Sequence, residues 1–163
     1  RAGFTMFNAS LDPARGEIVY KKYYNVGVAV DSGHGLVVPV VRGADRKSVL
    51  EIAAEIEDLA ARARAGKLDA AEMRGGTFTI TNVGPLGGTA LIPTINYPES
   101  AILGMATAKP KPVGFEGQIV ARTILPLTLA FDHRVADGAD AARFVGALVR
   151  RLSEPLSWLF TAK

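Results

Sequence analysis

Cysteine is absent from all 163 residues, so the chain can form no disulfide, offer no thiolate to a metal and use no thiol of its own as a nucleophile. A reducing compartment suits that composition. Histidine is scarce, with two copies. No apolar run approaches the roughly 18 residues that a membrane-spanning helix needs, so a hydrophobic content of 48% must be buried in other ways. A mean hydropathy of +0.19 is rather apolar for a lone soluble domain and points to surface buried between subunits. Charge of one sign is also lacking: 19 Lys and Arg against 16 Asp and Glu leave a net +3, spread without a basic block. That spread argues against nucleic acid as a partner and leaves room for an anionic cofactor. No repeat or low-complexity tract occurs. The length suits one domain with a real core. The first residue is Arg1 and no signal peptide is visible, the pattern of a fragment.

Alternation and turn chemistry divide what is there. Residues 8–13 are turn-forming and residues 17–24 read as a strand. Val26, Val28 and Val30 alternate with Gly27 and Ala29, residues 31–35 turn, and residues 36–41 return, which makes a hairpin. Pro39 has no amide to donate and requires a sheet edge or a bulge. His34 falls in the glycine-rich tip, where a solvated side chain is expected. Ser48 and Glu51 match a capping box, and Val49, Ile52, Ala53, Ile56, Leu59, Ala60 and Ala63 follow at helical spacing until Gly66. Asp69 and Glu72 repeat the capping pattern over a short turn.

Residues 77–81 alternate as a strand and break into a glycine-rich loop, 82–88, that matches neither GxGxxG nor a Walker loop. Residues 91–95 read as extended, 96–99 as a turn, 101–106 as a buried strand, 109–112 as a loop and Glu116-Gly117 as a hairpin turn. Residues 118 onward lead into a strand over 124–131. A helix entered at Asp140 carries Ala141, Val145, Leu148, Val149 and Leu152 on one stripe, with acid at its start and Arg150 and Arg151 at its end, as the macrodipole favours. The apolar tail, 155–160, is expected to dock on its own domain or on a neighbour. Strands outnumber helices and several are joined by hairpins, so the expected fold is α/β: a two-layer sandwich, a mixed or antiparallel β-sheet covered by helices.

Between the last strand and the last helix lies Phe131-Asp132-His133-Arg134-Val135-Ala136-Asp137-Gly138. An imidazole titrates near neutrality, so His133 fits a general base. It fits equally a histidine that merely closes a strand. His133 and Asp137, four apart, fall short of the three protein ligands of a catalytic zinc site.

The His-x-x-x-Asp-Gly pattern resembles the signature of the dihydrolipoamide acyltransferases, the core subunits of 2-oxo acid dehydrogenase complexes, and of the related chloramphenicol acetyltransferases. The resemblance extends over NVGVAVDSGHGLVVPVVRGADRKSVLEIAAEIEDLA, GGTFTITNVGPLGG and NYPESAILGMA, in the family's order. It implies a chloramphenicol acetyltransferase-like fold over residues 1–163, here an acyltransferase catalytic domain truncated at its N-terminus. It implies acyl transfer between a dihydrolipoyl arm and coenzyme A, without a metal. Lipoate is expected on a separate upstream domain absent from this sequence. It further implies His133 as general base, Asp137 as the carboxylate that organises its loop, and Thr81 as the hydroxyl donor to the oxyanion. By residues alone Thr81 is an ordinary strand threonine, and the family often has serine there. Implied partners are two further copies in a trimer built into a large core, together with 2-oxo acid dehydrogenase and dihydrolipoamide dehydrogenase subunits. Neither nucleic acid nor a membrane is expected. The location would be cytoplasmic, or the mitochondrial matrix in a eukaryote. The alternative is a non-catalytic structural subunit of such a core.

Overall fold

The computed structural model describes residues 3–155. Its first hairpin pairs β1 (Ala9–Asp12) with β2 (Glu17–Tyr20). Residues 9–12, expected to turn, are therefore a strand. The turn falls one step later, where the Asp12 carboxylate accepts the amides of Ala14 and Arg15 at 3.0 and 3.3 Å. The expected strand over 17–24 stops at Tyr20, where β1 ends and the Asn8 side-chain amide donates to the Lys21 and Tyr23 carbonyls in place of a strand.

The second hairpin forms in pieces. β3 (Val26–Val28) pairs with β6 (Val40–Val41), and β4 (Val30–Asp31) pairs with β5 (Leu36–Val37). Between them Pro39, buried, accepts the Val28 amide at its carbonyl (2.9 Å) and leads into an edge strand, as a residue without an amide requires. α1 (Val49–Arg64) packs on β4 and β6. It starts where the Ser48 hydroxyl accepts the Glu51 amide and the Glu51 carboxylate accepts the Ser48 amide. That box satisfies two amides a helix start leaves open.

β7 (Phe78–Asn82), β8 (Ala101–Met105) and β11 (Leu127–Phe131) complete a five-stranded mixed sheet in the order β11-β8-β7-β3-β6. β7 runs parallel to β3 and β8, while β11 is antiparallel to β8. Side chains alternate across a strand. The register therefore puts Phe78, Ile80, Ala101, Leu103, Leu129 and Phe131 on one face and Thr79, Thr81, Ile102, Gly104 and Thr128 on the other.

α2 (Gly138–Ser153) covers the aromatic face. Its anchor is Phe144, with ring centroids 4.9 Å from Phe7, 5.3 Å from Phe4 and 5.9 Å from Phe78. Such aromatic pairs add about 0.5–1.5 kcal/mol each beyond burial. Of the stripe read from the sequence, Ala141 is buried, but Val149 and Leu152 are about half exposed. The helix also starts earlier than Asp140, because Asp137 caps it.

Two further expectations change. Residues 109–112 are not a loop: they open β9 (Lys109–Phe115), paired with β10 (Gln118–Ile124) across Glu116 and Gly117, both at positive φ. The hairpin is a two-stranded sheet, so every strand is an edge and Pro110 and Pro112 can sit with their nitrogens turned outward. The strand expected over 124–131 is split at Leu125 and Pro126, and residues 91–95 have no strand partner. The apolar tail from residue 156 onward lies outside the described residues.

Candidate active site

β11 delivers His133 as expected, in a turn that Asp132 ties together. The Asp132 amide donates to the Ser100 carbonyl at 2.9 Å, and its own carbonyl accepts the amides of Val135 (2.9 Å) and Ala136 (3.2 Å). Its carboxylate accepts the Arg134 amide at 3.0 Å and both Nε and Nη2 of the Arg134 guanidinium at 2.7–3.2 Å. That guanidinium holds the Asp132 carboxyl below the usual aspartate range. His133 itself is exposed, its ring centroid 5.5 Å from that of Phe131 at an interplanar angle of 36°. Among the described residues no side chain or backbone group hydrogen-bonds its ring nitrogens.

Asp137 faces the helix. Its carboxylate accepts the Asp140 amide at 2.9 Å, the N-cap of α2. The Asp140 amide first, then that of Ala139 and the charges of Arg143 and His133, hold its carboxyl low against the opposing cost of desolvation. Asp137 thus fixes the end of the histidine turn, with no hydrogen bond to the imidazole.

Thr81 lies elsewhere. It is half-buried on the threonine face and lines a cavity of about 300 Å³ with Thr79, Leu36, Leu91, Ile95 and Ile102. Leu91 reaches the sheet because Gly104 has no side chain: a Cβ there would stand 2.8 Å from Leu91 Cγ. Behind the same wall the Glu99 carboxylate accepts the Thr79 hydroxyl at 2.6 Å and Asn96 Nδ2 at 3.3 Å. Burial, outweighing these bonds and the nearby Lys21, raises the Glu99 carboxyl above the ordinary glutamate value. The Lys21 ammonium is lowered by its own burial, against the pull of Glu99.

Register separates the two reactive candidates. Thr81 stands beside Gly104, which pairs with Thr128, whereas His133 lies two residues past Phe131, which pairs with Ala101. Three residue steps of strand, two of turn and two interstrand steps put them roughly 15–20 Å apart, toward opposite ends of the sheet. One chain brings His133 and Asp137 together and leaves Thr81 apart.

Asp132 and Arg134 carry no role in the sequence reading. An Asx turn at a strand end, Asp followed two residues later by Arg, was the available signal. A larger cavity, about 460 Å³ and lined by Phe4, Phe7, Tyr24, Phe78, Phe144 and Arg151, contains none of the three site residues. Among the described residues no three His, Asp or Glu side chains gather as a metal set, and no helix is long and apolar enough to cross a membrane.

A five-stranded mixed sheet under helices is the chloramphenicol acetyltransferase-like fold. A chloramphenicol acetyltransferase superposes with a TM-score of 0.52 at 15% identity, over 85% of this chain and 65% of that one, which is a likeness of fold. The chain belongs to the 2-oxoacid dehydrogenases acyltransferase (catalytic domain) family, whose model matches residues 2–160. It is 48% identical over 152 residues to the dihydrolipoyllysine-residue acetyltransferase component of the pyruvate dehydrogenase complex of Bacillus subtilis (strain 168), covering 93% of this chain and 34% of that protein. The chain thus spans about a third of that relative's length. Among solved structures, the dihydrolipoamide acetyltransferase of Azotobacter vinelandii superposes with a TM-score of 0.90 at 47% identity, over 95% of this chain and 64% of that one. The cubic core of a pyruvate dehydrogenase multienzyme complex gives 0.91 at 46%, over 96% and 64%.

Proposed function

We propose that this domain moves an acyl group, acetyl in the first instance, between a dihydrolipoyl thiol and coenzyme A. His133 acts as general base, Thr81 as donor to the oxyanion, and Asp137 as the cap that holds the histidine turn against α2.

One observation carries the assignment. In the Azotobacter vinelandii enzyme, a serine, a histidine and an asparagine have been investigated for their roles in the catalytic mechanism; the serine stands 52 positions before the histidine and the asparagine four after it. Here Thr81 stands 52 before His133, and Asp137 four after. Threonine keeps the hydroxyl, and aspartate keeps an oxygen able to cap a helix.

The chemistry asks little of the imidazole. A thiol with a pKa of about 8.5 and an imidazole at about 6.5 differ by ~2 units, so complete proton transfer costs roughly 2.7 kcal/mol. The imidazole takes the proton as sulfur attacks the thioester carbonyl and returns it to the departing sulfur. A hydroxyl aimed at the developing oxyanion contributes on the order of 2.7–4 kcal/mol.

Since one chain holds Thr81 and His133 far apart, the complete site takes His133 from one copy and Thr81 from the next. That suits a trimer, with the apolar surface indicated by the composition buried between its members. Kinship with pyruvate dehydrogenase components supports this reading, in which trimers assemble into a core that 2-oxo acid dehydrogenase and dihydrolipoamide dehydrogenase join. A cytoplasmic setting suits a chain without cysteine. His133→Ala in the assembled protein is expected to lower acyl transfer from acetyl-coenzyme A to dihydrolipoamide by about 10²–10⁴-fold. A wild-type rate in that variant would overturn the assignment, and intact assembly with no transfer by the unaltered protein would favour the structural-subunit reading.

A further inference from the structure

We propose that Asp132 and Arg134, the residues on either side of His133, form a clamp that positions its imidazole and balances the charge around it. Both are positioning residues for acyl transfer, and the proposal rests on His133 being the base.

Asp132 spends every polar group it has on this turn. Its amide ties the turn to Ser100 at the start of β8, and its carbonyl closes the loop on Val135 and Ala136. Its carboxylate holds both the amide and the guanidinium fork of Arg134. The side chain of Asp132 is 19% exposed and that of Arg134 is 68% exposed. A pair open to water on one side contributes little to stability, so stability is a poor reason for so complete an arrangement. Its geometric effect is specific: the backbone before and after His133 is pinned, while the imidazole is left without a hydrogen bond of its own and rests near Phe131.

The electrostatic effect is equally specific. The charged groups beside His133 in the chain are Asp132 and Arg134, its immediate neighbours, paired with each other, while Asp137 from the cap of α2 interacts with both His133 and Arg143. Next to β8 the turn is held through the uncharged Ser100 carbonyl, which accepts the Asp132 amide. Asp132 and Arg134 cancel at close range. Removing either leaves the other's charge beside the base. Asp137 cannot replace the clamp, because the Asp140 and Ala139 amides occupy its carboxylate.

The test compares Arg134→Gln, Asp132→Asn and Arg134→Lys in the full-length, assembled protein, reading kcat/KM against pH together with sedimentation and thermal melting. Arg134→Gln leaves the Asp132 carboxylate unbalanced, which favours imidazolium and moves the acid limb of the profile to higher pH. Asp132→Asn leaves the guanidinium unbalanced and moves it to lower pH. Each displacement is on the order of half a pH unit at low salt and shrinks as salt is added. Arg134→Lys keeps the charge but loses the planar fork, so its acid limb stays in place while kcat falls about 10-fold from misplacement of the base. A merely structural role would lower melting temperatures without opposite displacements. If the limbs of Arg134→Gln and Asp132→Asn coincide with wild type, or move together, in assembled protein, the clamp is wrong. Should Asp132→Asn fail to assemble, the exposed Arg134→Gln decides alone by its upward displacement or lack of one. His133→Ala separates the two levels: if it is inactive while the charge variants match wild type, only the clamp fails, and if it is fully active the base assignment fails with it.

Discussion

Two inactive variants mixed in one oligomer are expected to recover activity. Within a chain, the register of β7, β8 and β11 keeps Thr81 roughly 15–20 Å from His133, too far for both to touch one thioester. The perturbations are His133→Ala, which removes the base at a cost of about 10²–10⁴-fold, and Thr81→Val, which removes the hydroxyl while keeping the branched shape at a cost of about 10²–10³-fold. Each homo-oligomer should therefore run at about 1% of wild type or below. Co-assembled at equal ratio in a ring, a site receives an intact His133 in half the cases and an intact neighbouring Thr81 in half, so about one quarter of the sites are restored. The assay is acyl transfer to dihydrolipoamide by the whole co-assembled mixture, because selecting only mixed trimers would raise the restored share of the first mixture to about one third. A second mixture sharpens it. Wild type co-assembled with the doubly substituted chain should also give about one quarter if the site spans copies, and about one half if each chain holds its own. Mixed oligomers of the single variants that stay at the parental level would refute the shared site.

Glu99→Gln tests the buried carboxyl. Because burial raises its proton affinity in the folded chain, the native state keeps a proton that the unfolded state has released, and stability falls as pH rises from the ordinary glutamate value through the raised one. The melting temperature of Glu99→Gln should pull ahead of wild type as pH climbs above about 4; parallel curves would argue against it. Asp137 has the opposite sign: its lowered carboxyl supports the fold above the ordinary aspartate value and ceases to do so as pH falls. Asp137→Ala should therefore melt lower than wild type at neutral pH, with the gap closing in acid, while Asp137→Asn, an equally good cap, should melt close to wild type. Leu91→Ala should deepen the cavity beside Thr81 and shift the kcat/KM ratio toward longer or branched acyl-coenzyme A by about 10–200-fold. An unchanged ratio would remove Leu91 from the acyl pocket.

Elements with local causes were legible in the chain. The Ser48 box and its stripe made α1, the Glu116-Gly117 turn made a hairpin, and Pro39 marked a sheet edge. Elements whose causes are distant were not. Residues 9–12 look like a turn until β2 lies alongside, and Pro110 and Pro112 suggest a loop unless the hairpin leaves their outer side free. Phe144 dropped out of the helical stripe, although the rings of Phe4, Phe78 and Phe131 meet around it and Phe7. For the site, the motif and the resemblance supplied His133, Asp137 and Thr81. Neither could tell that Asp137 turns toward the Asp140 amide, or that Asp132 grips Arg134, since both depend on how the chain bends after Phe131. The separation of Thr81 from His133 follows from strand order, which no local pattern encodes.

The prolines of β9 bear on how the molecule avoids growing without limit. An open two-stranded ribbon runs the risk of recruiting strand after strand into fibres. With Pro110 and Pro112 in alternate positions, the outer rim of that ribbon is missing two of the amides on which an added strand would zip. Strand addition along that side is opposed by the covalent chemistry of the rim itself.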